Sequence, residues 1–490
     1  MKRFRMAEQT EGAEEESVMR EGQLTFFGGV GKSGGVQVVY GKGDQGLLFD
    51  FGVEHSSLLF PKQLTLYEPV GATPGRELRQ YVLGGMTAPL VQLYDPDQLG
   101  GLDMQKVSQV WGDRQFPSYG RISVFIGHMH TDHMAVLPYA KPGLPVYMNR
   151  DAYALYRGMV AGGHSPDTSA QIQACEDLSV VDFGEFAMQV VEMDHNATGS
   201  AGILIDDGVH KIAYTGDWRR HGKHPERIDR FIRLCRERQV DLLITEGTRL
   251  AADPSAEVPR QLTEDELLAG FSDRVSEAEG LVYVQMSPRD LERMANLMAI
   301  ANKNGREIVM EASHALIWHA ANREGLRILE GHPALGADIR VIDATVTNPT
   351  TMPYRTISLE EVAGRKQQYV YFFKFPDLAH LIELETLGDL QGRSHFIQSD
   401  YSVKLEHPDV AKYLKTFGIT GHSLCNGGHA HPEAIADMIE GIAPKAVITL
   451  HSRHPRSQHT RGVYAYHPEK GETATVSSIL ASATLAGNRA

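Results

Sequence analysis

The chain has 490 residues, 42% of them hydrophobic and 22% charged, with 48 glycines against 23 prolines, an ordinary globular composition. This excludes collagen-like, coiled-coil and wholly disordered classes, and the length suggests about three folding units or one large α/β domain carrying an insertion. A formal charge of -14 argues against indiscriminate affinity for polyanions over the whole surface, yet leaves room for a local basic groove.

The first residues, MKRFRMAEQTEGAEEESVMR, run from basic to acidic with no apolar core. Residues 1–22 are therefore predicted to be a disordered acidic tail rather than a signal peptide. No run of eighteen apolar residues follows anywhere, so no membrane partner is expected. Cys175, Cys235 and Cys425 lie far apart and form no C-x-x-C pair, which supports neither a disulfide framework nor a thiolate metal site. The cytoplasm is the default compartment.

From Leu24 to Val53 the runs VQVVYG and GLLFDFG, separated by glycine turns, read as a hairpin that opens a β layer. Residues 54–115 are rich in turn formers, among them Pro61, Pro69, Pro74, Pro89 and Pro96, and are read as irregular. RISVFIG is a short strand that delivers the chain into His128-Met129-His130-Thr131-Asp132-His133. PVYMN and AYALYRGM then give a strand and a helix, and FAMQVVEMDH, GILIDDG and HKIAYTGDW give a β series. Ile228, Phe231, Ile232 and Cys235 recur at helical spacing before the strand VDLLIT. Beyond ADPSAEVP, strand and helix alternate, so a second domain is placed at 250–420, inside a first domain formed by 23–249 and completed, with a C-terminal tail, by 421–490. Its clearest helix follows Ser287 and Pro288, read as N-cap and N1, and is closed by Asn304-Gly305.

Of 22 histidines, three fall within six residues, together with Asp132. Alternate residues of an extended segment face the same way, so His128 and His130 can reach one metal while Asp132 and His133, in the following turn, can reach a second. Further ligand candidates close later strands: His195 after VVEMD, Asp217 after IAYTG, and His451 after AVITL. A carboxylate such as Asp217 can bridge two ions roughly 3.5 to 4 Å apart, the arrangement used in metal-assisted hydrolysis.

HMHTDH, the DH of EMDH, the TGD of AYTGD and the LH of ITLH resemble successive motifs of the metallo-β-lactamase superfamily, with LLFDFG similar to its early strand and Asp-x-Gly turn. LLITEGT resembles the first motif of the β-CASP nucleases, and GGHAHPEAI the motif that carries their extra histidine. Order and spacing are most similar to ribonuclease J. The resemblance spans residues 24 to 455. It implies an α/β protein, a metallo-β-lactamase αββα sandwich with an inserted α/β β-CASP domain. It also implies two zinc ions, with manganese as the alternative: His128, His130, His195 and Asp217 around one, Asp132, His133, Asp217 and His451 around the other. Asp132 would also position the attacking hydroxide, His429 would assist at the phosphate or leaving oxygen, and Glu246 would hold that region in place.

The implied function is a ribonuclease acting on RNA or single-stranded nucleic acid. Where ribonuclease J carries a Thr-Gly-Ser-Gln-Gly-Glu-like loop, this chain has HFIQSDYS, and Ser-Arg-His follows the last ligand. A hydrolase of a small ester, thioester or lactone, and a catalytically silent nucleic-acid-binding subunit, remain alternatives, and a homo-oligomer is left open. His422 competes with His429 for the extra-histidine role, and His454 and His459 compete with His451. The run from Arg219 to Arg238 carries eight Lys or Arg against three acids and is read as a solvated face rather than a phosphate track. Tyr369, Tyr371, Phe372, Phe373 and Phe375 beside Lys374 are read as a core strand rather than a stacking surface.

Overall fold

A computed structural model of the chain describes residues 21–54, 71–102, 104–112, 114–374, 378–388, 392–401 and 404–487. The expected acidic tail, apart from its last two residues, and Phe375 lie outside the described residues.

The strands are β1 (Gln23–Gly28), β2 (Gln37–Lys42), β3 (Gln45–Phe49), β4 (Arg121–Ile126), β5 (Pro145–Asn149) and β6 (Gln171–Cys175) in a first sheet. A second begins with β7 (Val180–Asp182), β8 (Ala187–Glu192), β9 (Ala201–Asp206), β10 (Lys211–Tyr214) and β11 (Leu242–Glu246). A third holds β12 (Val282–Gln285), β13 (Glu307–Met310), β14 (Ile339–Ile342), β15 (Arg355–Ile357), β16 (Tyr369–Phe373), β17 (His395–Gln398) and β18 (Thr420–Ser423). Then β19 (Ala446–Leu450) and β20 (Tyr464–Tyr466) return to the second sheet and β21 (Thr473–Thr475) to the first. The result is a mixed α/β fold with three seven-stranded sheets, ordered β21-β1-β2-β3-β4-β5-β6, β20-β19-β11-β10-β9-β8-β7 and β15-β14-β13-β16-β12-β17-β18. The third sheet is parallel throughout. All of it lies in sequence between β11 and β19, which pair directly from Leu242–Ala446 to Glu246–Leu450.

Period-two alternation decides which face each strand buries. Leu47 and Phe49 of β3 join Phe26 and Phe125 against Ile203, Tyr214, Ile244 and Ile448 of the second sheet, so the first two sheets share one core. Leu48, on the opposite face, packs with Val124 and Ile126 against Leu155 and Met159 of the helix Arg150–Ala161. On the outer face of the second sheet, Leu243 and Val447 meet Ile228, Phe231 and Cys235 of the helix Pro225–Glu237, together with Ile435 and Ile439 of the helix Pro432–Ile442. Helices thus cover both outer faces. The core outside the first sheet continues into one face of the third through Val284, Met310 and Phe372. At that junction the helix Arg150–Ala161 lies against the helix Ala312–Arg323 so closely that a Cβ on Gly158 would stand 2.7 Å from Ile317 O.

Several local expectations are corrected. The stretch 54–115 is not wholly irregular: helices Glu77–Leu83, Pro96–Leu99 and Met104–Trp111 occur within it, because Leu78, Val82, Leu99 and Val107 have a core to cover. The helix Leu291–Lys303 starts later than predicted: Asp290, not Ser287, is its N-cap, accepting from Arg293 N. The small-residue end, read as a tail, forms a helix Val476–Gly487 whose Val476 and Ile479 are buried. Tyr369, Tyr371, Phe372 and Phe373 are buried in β16. The basic run is ion-paired, Arg220 with Asp229, Lys223 with Asp265, Arg227 with Glu192 and Arg230 with Asp177, while Arg219 is buried against Asp194 and so departs from the solvated face expected for it.

Candidate metal centre

The strands β8, β10, β11 and β19 run parallel and end at one rim; that rim and the segment after β4 carry the predicted site residues except His429, which the loop after β18 brings to them. His128 and His130 follow β4, and Asp132 and His133 lie in the single helical turn Thr131–Met134. His195 follows β8, Asp217 follows β10, Glu246 ends β11, His451 follows β19, and His429 precedes the helix Pro432–Ile442. Ring nitrogens and carboxylate oxygens from these nine residues group within 4.8 Å of one another in overlapping sets that could hold metal.

His130 Nδ1 stands 3.0 Å from His128 Nε2 and 3.1 Å from His195 Nε2. Nitrogens bound to one tetrahedral zinc would be separated by about 3.3 Å, so the three are spaced as joint ligands are. Asp217 Oδ2 is central: it lies 3.8 Å from His128 Nε2, 4.0 Å from His195 Nε2, 3.3 Å from His133 Nε2, 3.5 Å from His451 Nε2 and 3.6 Å from His429 Nδ1. Asp132 Oδ2 is 3.0 Å from His451 Nε2 and 3.6 Å from His133 Nε2. His133 Nε2 is buried without a hydrogen-bond partner, an orphan that a cation would satisfy. These N and O donors suit zinc or manganese, so the residues fit a metal site.

The outward nitrogens are held as ligand histidines are held elsewhere, by a carboxylate, a carbonyl or a hydroxyl. His133 Nδ1 pairs with Asp50 Oδ2 at 2.8 Å, His195 Nδ1 donates to Gly428 O at 2.6 Å, and His451 Nδ1 meets Thr248 Oγ1 at 2.6 Å. Asp50 is further bound by Tyr214 OH and by Gly127 N at 2.7 Å. Two of these positions sit in left-handed backbone, Asp50 at φ 58 and His451 at φ 50. Such residues cost roughly 1–3 kcal/mol each and persist where neighbours fix them; here Asp50 N donates to Phe125 O and His451 N to Gly29 O.

Burial pushes His128 and His195 well below the usual histidine range and His130 down to about 3, so all three are neutral and ready to ligate. His133 is also buried, but Asp217, Asp50 and Asp132 more than offset burial and raise it. Burial likewise opposes ionisation of Asp132 and Asp217, yet the surrounding histidines hold both carboxyls well below their ordinary range. For His429, the Glu246 and Asp217 carboxylates overcome burial and push the ring up to about 9. His429 Nδ1 lies 3.3 Å from Glu246 Oε1, which also accepts from Ala430 N at 3.0 Å.

His422, the competing histidine, sits on the edge strand β18 with its ring 4.8 Å from that of His395 and is not part of this cluster. Nor are His454 and His459. Sequence reading missed Thr248, which an ST-type turn after Glu246 could have signalled, and it saw the LLFDFG turn without assigning Asp50 a partner. It also missed Arg289, half-buried with Nε donating to Met129 O at 3.0 Å, for which no spacing signal existed.

A cleft of about 930 Å³ opens on this centre at His130 and His429 and is walled by Arg249, Arg260, Tyr401 and Lys404. Among the described residues that line it there is no carboxylate.

No protein-family model and no curated protein matches the sequence. Among solved structures, a crystal structure of a protein of unknown function from Enterococcus faecalis V583 is similar, with a TM-score of 0.73 and 22% identity over 93% of this chain and 100% of that one. The likeness is one of fold: an α/β architecture on which this chain carries buried His and Asp clusters that could hold a metal ion.

Proposed function

We propose that this chain is a metal-dependent phosphodiesterase that hydrolyses RNA, a β-CASP-type member of the metallo-β-lactamase superfamily similar to ribonuclease J, working with two divalent cations. The observation that carries the reading is Asp217, whose single buried oxygen is approached at 3.3 to 4.0 Å by nitrogens of five histidines. A carboxylate so placed is suited to bridging two cations. Two facing sheets with helices on both outer faces, and a parallel sheet inserted between β11 and β19, support the family reading. A cleft walled by Arg249, Arg260 and Lys404, with no carboxylate among the described residues that line it, favours an anionic substrate.

A cation pair, when bound, supplies Lewis-acid polarisation of a phosphoryl oxygen and lowers the pKa of water. The rest falls to side chains. Asp132, its side chain 25% exposed, is held at Oδ2 by His451, so its carboxylate is placed to orient the attacking water. His429 is anchored through Nδ1 to Glu246, which leaves its Nε2 to pass a proton to the leaving alkoxide. Arg249, Arg260 and Lys404 bind flanking phosphates.

The test is incubation of metal-analysed protein with end-labelled single-stranded RNA bearing a 5′-monophosphate or a 5′-hydroxyl, with Asp132→Ala as control. Cleavage by wild type, reduced about 10²- to 10⁴-fold in the variant, is expected. Mononucleotides would mark exonuclease action and internal fragments endonuclease action. No cleavage by protein carrying two metals per chain would overturn the reading in favour of a small-ester hydrolase, and protein that binds no metal would favour a silent subunit.

A further inference from the structure

Tyr401 is 53% exposed, unusual for a large ring that lines a cleft, and it belongs to the HFIQSDYS stretch that replaces the expected phosphate loop. It is nonetheless held in place. Gln261 Nε2 donates to Tyr401 OH at 3.2 Å, and Gln261 Oε1 accepts from Arg249 Nη1 at 2.7 Å. Arg249 is itself tied to Pro259 O at 2.5 Å. Gly427 completes the arrangement: a Cβ there would stand 2.4 Å from Gln261 Nε2, so glycine leaves room for the amide that holds the Tyr401 hydroxyl. A fixed aromatic ring with open surface is therefore presented to the same cleft that reaches His130 and His429, flanked by Arg260 and Lys404.

Phosphate oxygens are met by cations, but a bare aromatic face in a water-filled cleft is matched by another flat, weakly hydrated π-surface. We propose that Tyr401 is a stacking platform for one unpaired base of single-stranded RNA, held at a set position by the Arg249–Gln261 relay, with Lys404, and Arg260 from its surface ion pair with Glu266, on the adjoining phosphates. The assignment rests on the phosphodiesterase reading of the same cleft. Stacking is indifferent to base identity, so the subsite selects single strands over duplexes rather than one sequence over another.

The experiment uses full-length Asp132→Ala protein loaded with metal, so that RNA is bound and not consumed, and measures fluorescence anisotropy with a labelled oligoadenylate and a set carrying one abasic position each. Tyr401→Ala should weaken binding of the intact oligonucleotide about 5- to 100-fold, whereas Tyr401→Phe should retain it. One abasic position should cause a comparable loss in the parent and almost none in Tyr401→Ala. Equal affinity of the Ala and Phe variants, or the same abasic sensitivity with and without the ring, would overturn the platform while leaving the phosphodiesterase reading intact. If the parent binds no RNA, both readings fall together.

Discussion

Asp50 shows how much of a metal centre can rest on a residue that touches no metal. Its carboxylate fixes His133 Nδ1 while accepting from Tyr214 and Gly127, and it does so from a left-handed backbone that costs energy. Asp50→Ala should lower metal affinity about 10- to 100-fold, read by competition with a chromogenic chelator, since second partners of ligand histidines have effects of that size. His429 calls for a different readout. Anchored to Glu246 and lining the cleft, it would on the proposed reading serve proton transfer rather than metal retention, so His429→Ala should lower kcat about 10²- to 10⁴-fold at unchanged metal content. The same loss from His422→Ala would contradict this, because His422 packs on His395 away from the cluster.

At the scale of elements, the loop before the helix Pro432–Ile442 lies against the loop after β8 with no space to spare. A Cβ on Gly428 would stand 2.0 Å from Asn196 Oδ1 and 2.3 Å from His195 Cε1. Gly428→Ala should therefore displace His195 and reduce metal stoichiometry with little loss of secondary structure by circular dichroism, the cores of the sheets being untouched. The third sheet is tied to this rim by a buried ionic group. Arg293 Nε donates to Glu264 Oε1 at 2.7 Å, Arg219 Nε donates to Asp194 Oδ1 at 2.7 Å, and Asn426 Nδ2 donates to Glu264 Oε2 at 3.1 Å. Burial disfavours the Glu264 charge, but Arg293 and Arg219 more than offset it and bring its pKa down to about 2. A carboxylate lowered on folding stabilises the fold above its ordinary pKa and loses that contribution as pH falls through the folded value. Glu264→Gln should thus be less stable than wild type at pH 7, with the gap closing between about pH 4.5 and 2 in denaturant titrations.

For the molecule as a whole, the proposed metal binding would be linked to folding yet separable from it. The sheets bury four extensive apolar cores that do not depend on a cation, so chelation should lower the melting temperature without unfolding the chain; at a hundredfold excess over Kd one cation contributes about 2.7 kcal/mol. Charge is distributed in the same way. The total is -14, yet the cleft is walled by Arg249, Arg260 and Lys404. Replacing Arg260 and Lys404 by Ala should flatten the dependence of log Kd on log salt by about 0.7 for each lost phosphate contact on a single strand.

What the sequence determined by itself was local. HMHTDH at the end of a β run, with Asp217 and His451 closing two more, needed only strand periodicity and ligand chemistry to be recognised, and GLLFDFG and VDLLIT were legible as strands. The N-cap of the helix Leu291–Lys303 was misplaced by three residues because Ser287, Pro288 and Asp290 all carry start signals and only the packed chain selects among them. Tertiary structure decided the rest. It chose His429 over His422, since both follow glycine and only the pairing of β17 with β18 carries one of them to the far edge of a sheet. It converted the Arg219–Arg238 run into ion pairs whose partners lie on other elements, and it brought Arg249, Gln261 and Tyr401 into one wall. Those contacts join residues from 12 to 140 positions apart, and sequence periodicity holds no information about which distant side chains a fold will make neighbours.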